Sequence, residues 1–122
     1  MASDGKLSGR LILILENDYF LADDEKSALE AEGARVLGPF NRGAEAIKAA
    51  DRAKPDCALI DINLGGGPDF DAARELVARG VPIVFATGYD RAVLPTDLAT
   101  APCLQKPFTD ESLVTAMASV AG

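Results

Sequence analysis

Histidine and tryptophan are absent from the 122 residues, cysteine occurs twice, and aromatic residues make up 6% of the chain. Without histidine there can be no Ser-His-Asp triad, no His-ligated zinc and no phosphohistidine carried by the chain itself. Cys57 and Cys103 lie far apart in sequence, inside apolar segments. That spacing removes Cys-x-x-Cys redox chemistry and a zinc knuckle, and both read as buried free thiols. Cations are the minority: 12 Lys plus Arg against 19 Asp plus Glu give a net charge of −7, which with scattered basic residues argues against a nucleic-acid partner. No apolar run approaches the roughly 18 residues a membrane helix needs, and the polar residues 1–9 lack the apolar stretch of a signal peptide. The expectation is a soluble, cytoplasmic protein without membrane or nucleic-acid partners. Any phosphate site must use backbone amides, lysine, threonine or a metal.

What is present is an ordinary globular balance, 48% apolar and 25% charged, in one domain's length of chain. Short apolar runs at Leu11–Leu15, Arg35–Gly38, Cys57–Ile60, Val81–Ala86 and Pro102–Gln105 read as strands. Segments of helical length separate them: Tyr19–Glu32 closed by Gly33, Gly43–Ala53 closed by Lys54-Pro55, Asp69–Arg79 closed by Gly80, and Thr109–Ala121, opened by a capping hydroxyl and two carboxylates. Tyr89–Thr100 has Pro95 in its middle and is expected to form one short helical turn. Alternation of this kind predicts an α/β, doubly wound (βα)5 domain with a mainly parallel sheet, preceded by a short polar extension over residues 1–9. Residues 10–122 are then the domain, and no length remains for an output domain. In the first helix, positions 21, 25, 28 and 32 share a face yet read Leu, Glu, Ala, Glu. Glu25 and Glu32 are expected at the edge of the apolar stripe, their carboxylates reaching water, with a partner surface as the alternative.

Sheets of this class place ligands at the carboxyl ends of their strands. Glu16, Asn17 and Asp18 follow the first strand, Asp61 and Asn63 end and follow the third, Thr87-Gly88-Tyr89 ends the fourth, and Lys106-Pro107-Phe108 follows the fifth. Grouped carboxylates repel unless a cation sits among them, and hard cations such as Mg2+ take carboxylate, carbonyl and water oxygens. A carboxylate beside such a metal can attack phosphorus, while a hydroxyl and a lysine receive the remaining phosphoryl oxygens.

The runs Leu-Ile-Leu-Glu-Asn-Asp at 13–18, Ala-Leu-Ile-Asp-Ile-Asn-Leu at 58–64, Phe-Ala-Thr-Gly-Tyr at 85–89 and Gln-Lys-Pro-Phe at 105–108 together resemble the receiver domain of bacterial two-component response regulators. The Phe-Ala-Thr-Gly-Tyr run in a stand-alone chain is similar to the single-domain receiver subgroup nicknamed FAT GUY, associated with HWE-type and related histidine kinases. The resemblance, and not the apolar pattern, implies a flavodoxin-like sheet of order 2-1-3-4-5, the order for which receivers are a type example. It implies Asp61 as phosphoacceptor, Thr87 and Lys106 as the groups that take the phosphoryl oxygens, and Glu16, Asn17, Asp61 and the Asn63 carbonyl as the Mg2+ shell. It further implies a cis Lys106-Pro107 peptide. A sensor histidine kinase or a histidine phosphotransfer protein would supply the phosphoryl group, and phosphorylation would switch the face made by the fourth strand, fourth helix and fifth strand. Transfer to Asp61 would be self-catalysed, with slow autodephosphorylation and no separate catalytic output; a weak homodimer is left open.

Three departures from the family stand out. Asn17 occupies a position usually held by Asp, so one ligand charge is missing, unless the loop turns Asp18 inward. Cys103 stands where many receivers place a switch aromatic, which passes reporting to Tyr89. Gly65-Gly66-Gly67-Pro68 reads as a mobile connector and not as a nucleotide loop. The alternatives are a phosphorylation-independent adaptor whose metal site is weakened by Asn17, and an aspartate-nucleophile phosphatase of the haloacid dehalogenase type, against which Asn63 stands in place of the second acid.

Overall fold

The computed structural model describes residues 5–88 and 93–121. Five parallel strands, β1 (Leu11–Leu15), β2 (Arg35–Phe40), β3 (Cys57–Asp61), β4 (Ile83–Thr87) and β5 (Cys103–Gln105), form one sheet in the order β2-β1-β3-β4-β5. Four helices accompany them among the described residues: α1 (Tyr19–Ala31), α2 (Gly43–Ala53), α3 (Asp71–Ala78) and α4 (Asp110–Val120). The doubly wound flavodoxin-like architecture and its strand order are as expected. Between β4 and β5 the described chain includes a short 3-10 turn, Thr96–Leu98, directly after Pro95. Tyr89 lies outside the described residues.

Side chains alternate across the central strands and divide the core in two. Leu13, Leu15, Ala58, Ile60 and Phe85 face α2 and α3 with Ala46, Ile47 and Leu76. Ile12, Ile14, Leu59, Val84 and Ala86 face α1 and α4 with Leu29, Leu113 and Met117. This period of two, buried on both sides, is why the central strands read as continuous apolar runs. The sheet therefore ends abruptly where polar residues begin, at Glu16, Asp61 and Thr87.

Helix boundaries follow local hydrogen bonding. Asp18 caps α1 by accepting from the Leu21 N–H at 3.0 Å, and Thr109 caps α4 by accepting from the Ser112 N–H at 3.0 Å. The third helix starts at Asp71 and not at Asp69, because the Asp69 carboxylate accepts from the Asp71 N–H in a turn that precedes the helix. β2 runs on to Phe40, beyond the expected Gly38, through a bulge: Leu13 pairs with Leu37 but Leu15 with Phe40. Gly38 and Pro39 fill the bulge with a cis peptide, and a Cβ on Gly38 would stand 2.8 Å from Phe40. Proline has no N–H to offer a ladder, so it is tolerated at this edge strand. The Lys106-Pro107 peptide is also cis.

The described part of the N-terminal segment is more than an extension. Leu7 is fully buried in the α1/α4 half of the core, and its N–H donates to the Glu32 carbonyl at 3.0 Å while Gly9 donates to Gly33. Cys57 is buried, but Cys103 on the edge strand is only half-buried, since one side of β5 has no neighbouring strand. Burying a leucine contributes roughly 1.5–3 kcal/mol. Leu7→Ala is expected to lower unfolding free energy by about 2 kcal/mol or more through the added cavity; denaturant melts check this, and a loss under about 0.5 kcal/mol would mean that residues 5–9 are dispensable to the core.

Candidate functional site

The carboxyl ends of β1, β3 and β5 bring Glu16, Asn17, Asp18, Asp61, Asn63 and Lys106, with Gly88 after β4, around one open cavity of about 330 Å³. Glu16 and Asp61 are buried at 3% and 4% exposure, each still anchored by the strand that precedes it. The Glu16 backbone N–H donates to the Phe40 carbonyl at 2.9 Å, so the β2 bulge fixes where β1 delivers its first polar residue. Asp61 accepts from the Asn63 N–H at 3.1 Å and from the Asn17 N–H at 3.4 Å. Lys106 is brought in by a hydrogen bond from its N–H to the Thr87 carbonyl at 2.7 Å. Its Nζ stands 3.2 Å from both Glu16 oxygens and 3.4 Å from Asp61 Oδ2. Thr87 is buried at the end of β4 and is not among the residues lining the cavity.

Two buried carboxylates against one ammonium leave an excess of negative charge. Burial first, and then the neighbouring Asp61, push the Glu16 carboxyl above its ordinary range, with Lys106 pulling the other way. Glu16 Oε1 lies within ion-pair reach of Lys106 but receives no aligned hydrogen bond. A buried carboxylate oxygen without an aligned donor, on a rim shared with a second carboxylate and with Asn17, is a hard-oxygen donor set suited to Mg2+. Among the described residues, no group of three or more His, Cys, Asp or Glu is disposed to hold a metal. The acids pointed into the cavity are Glu16 and Asp61, with the neutral Asn17 beside them.

One open alternative is closed here and two expectations are corrected. Asp18 does not replace the charge absent at Asn17: its Oδ1 is engaged as the cap of α1, and its N–H donates to Glu16 Oε2 at 3.0 Å. The Gly65–Pro68 segment is not a slack connector, because Asn63 Oδ1 accepts from the N–H groups of Gly65 (2.9 Å) and Gly67 (3.3 Å) and Asn63 bridges to Pro68. Gly65 and Gly67 have φ of 112° and 98°, values that glycine alone adopts freely. Glu25 does not reach water from the edge of the α1 stripe: it is 2% exposed, and neither of its carboxylate oxygens has a hydrogen-bond partner. Glu32 does behave as expected, half-buried with Oε1 accepting from the Lys6 N–H. The sequence signal for Glu25 is its place on the apolar face, where the structure buries it together with Ala22, Ala28 and Leu29.

Beside the acid rim, a second cavity of about 420 Å³ lies between α1 and the end of β2, lined by Tyr19, Ala22, Lys26, Pro39 and Phe40 together with Glu16 and Asn17. Tyr19 and Phe20 stack edge to face at 5.5 Å and are 78% and 79% exposed. No helix among the described residues is long and apolar enough to cross a membrane.

The response regulator receiver domain family matches residues 12–118. The transcriptional regulatory protein PdtaR of Mycobacterium tuberculosis is 30% identical over 112 residues, covering 88% of this chain and 55% of PdtaR. The phyllosphere-induced regulator PhyR of Methylorubrum extorquens is 35% identical over 86 residues, covering 68% of this chain and 32% of PhyR. The chain thus spans about half, or less, of the curated relatives it matches. Among solved structures, SdrG from Sphingomonas melonis Fr1 is similar with a TM-score of 0.78 and 31% identity, over 96% of this chain and 98% of SdrG.

Burial raises the carboxyls of both Glu16 and Glu25 above their values in an unfolded chain. In that case the folded protein holds more protons than the unfolded one above about pH 4.5, so stability is complete below that pH and is lost as pH rises through the folded values. Thermal melts in metal-free buffer are expected to show a falling midpoint between about pH 5 and pH 8; a midpoint that climbs over this window would show that neither carboxyl is raised.

Proposed function

The chain belongs to the response regulator receiver domain family, and we propose that it accepts a phosphoryl group on Asp61 from a histidine kinase or a histidine phosphotransfer protein and, so modified, switches its protein contacts. The observation that carries this reading is the Lys106 ammonium held at 3.4 Å from Asp61 and 3.2 Å from Glu16 at the ends of three parallel strands. In the transfer, an Asp61 oxygen forms a bond to phosphorus as the bond from phosphorus to the donor's imidazole nitrogen breaks, and the imidazole leaves with a proton from solvent. Bound Mg2+, held by Glu16, Asp61, the Asn63 carbonyl and the Asn17 amide, would neutralise charge on the phosphoryl oxygens. Lys106, already next to Asp61, takes one of those oxygens, and the Thr87 hydroxyl closes on another. The Asn63 and Asn17 N–H groups hold the nucleophile in place during the change.

The Phe-Ala-Thr-Gly-Tyr run over 85–89 supports assignment to the FAT GUY subgroup, and the likeness to SdrG runs over 96% of this chain. The exposed Tyr19–Phe20 pair flanks the rim that a protein phosphodonor has to cross to reach Asp61. PhyR and PdtaR are named as regulators, and by the same reading this chain regulates by binding. A second reading, favoured by the neutral Asn17 in the acid rim, is an adaptor that binds partners without being phosphorylated.

Incubation with acetyl phosphate and titrated Mg2+, read by intact mass, separates the two. The expected result is one Mg2+-dependent phosphoryl adduct that Asp61→Asn abolishes, with Asn17→Asp lowering the Mg2+ needed for half-maximal labelling about tenfold, equivalent to about 1.4 kcal/mol. An unmodified wild type at saturating Mg2+ would sink the phosphoacceptor reading in favour of the adaptor.

A further inference from the structure

The edge strand β2 carries an irregularity whose effect reaches the acid rim. Leu37 and Phe40 are three residues apart, yet both pack against the α2/α3 half of the core, where Leu13 and Leu15 lie. Successive side chains of an uninterrupted strand take opposite faces, so residues three apart cannot share one. The extra residue enters at Gly38-Pro39: Leu13 pairs with Leu37 and Leu15 with Phe40, which leaves Gly38 and Pro39 facing Ile14. Removing one of them would turn Phe40 to the other face and change which carbonyl meets the end of β1. With the bulge in place, the Phe40 carbonyl accepts from the N–H of Glu16, the residue directly after β1, at 2.9 Å. Glycine is what permits this path. Gly38 has a φ of 101°, and a Cβ there would stand 2.8 Å from both the Phe40 nitrogen and its ring. The nitrogen is main chain and cannot swing aside, so a side chain at position 38 displaces Phe40 itself.

We propose that Gly38 is a positioning residue for the cation and phosphoryl site: by permitting the bulge, it sets the Phe40 carbonyl against the Glu16 N–H and so fixes the main chain from which the Glu16 carboxylate reaches the rim. This rests on the receiver reading, in that it needs Glu16 to serve a cation. Glu16 is held from two sides. Its N–H is tied to the edge strand, and its Oε2 accepts from the Asp18 N–H and from Lys106 Nζ within the rim. A shift of Phe40 releases the first tie and carries the carboxylate away from the second. Metal ligands depend on the groups that orient them, and loss of such support costs about 10–100-fold in metal affinity. With Asn17 neutral, Glu16 is one of the two buried carboxylates lining the cavity, so its placement bears on half of that charge.

Gly38→Ala tests this against Gly33→Ala, a matched change at the opposite end of the same strand. Gly33 has a φ of 92°, and a Cβ there would stand 2.9 Å from Ser8 Cα. Both variants are strained, but only the first presses on Phe40. Amide chemical shifts of Asn17, Asp61 and Asn63 during Mg2+ titration report affinity, and thermal melts report stability. Acetyl phosphate labelling of the wild type independently tests the receiver reading. The expected result is Mg2+ binding weaker by about tenfold or more in Gly38→Ala and within about twofold of wild type in Gly33→Ala, although both melt at lower temperature. Unchanged binding in Gly38→Ala overturns the proposal, while a labelled wild type leaves the receiver reading intact. Equal weakening in both variants also overturns it, because general destabilisation would then account for the loss. A wild type that neither binds Mg2+ nor takes a phosphoryl group removes the receiver reading and the proposal with it. Should Gly38→Ala fail to fold, the scalar coupling across the hydrogen bond between the Glu16 nitrogen and the Phe40 carbonyl carbon in the wild type decides. A coupling that persists at saturating Mg2+ supports the tie, and one that is absent or lost on binding overturns it.

Discussion

One ammonium shared by two buried carboxylates organises the functional end of this protein. Lys106 is held at 3.2 Å from Glu16 and 3.4 Å from Asp61, and among the described residues neither acid forms an ion pair with a second cation. Removing two carboxylates from water costs several kcal/mol each, and a single lysine at these distances recovers only part of that. The arrangement is tolerable because backbone N–H groups supply the remainder: Asn63 and Asn17 to Asp61, and Asp18 to Glu16. A site poised in this way is short of positive charge, which is the condition for taking up a cation and a phosphoryl group together. Burial first, and this shortage after it, account for the direction in which the Glu16 carboxyl moves.

The surrounding chain is shaped to keep those N–H groups in register. The Gly38-Pro39 bulge lets the Phe40 carbonyl receive the Glu16 N–H, and the Asn63 side chain folds the glycine loop back on itself so that the Asn63 N–H stays on Asp61. Asp18 is a polar residue in the rim that looks like a ligand in sequence, yet its Oδ1 is committed to capping α1. Arg74 and Asp97, a forked pair at 2.8 and 3.2 Å, tie α3 to the 3-10 turn before β5, so the one crossover without a full helix among the described residues is nonetheless fastened to its neighbour. As an exposed pair it contributes little stability, and its effect is on placement.

Much of the fold is legible in the sequence because parallel strands buried on both faces leave an unambiguous apolar signature, and because caps such as Thr109 and stops such as Gly33, Lys54-Pro55 and Gly80 bracket the helices. Strand ends are legible for the same reason: Glu16, Asp61 and Lys106 are abrupt polar breaks after apolar runs. What stays hidden depends on tertiary contact. No local pattern distinguishes an Asp18 that caps a helix from one that turns inward, or a glycine loop held by an asparagine from a slack one. Leu7 sits alone among polar neighbours, with no periodicity to mark it as core. The helical face at 21, 25, 28 and 32 reads as polar, and that Glu25 is buried depends on how α1 packs in the fold, which no local pattern carries.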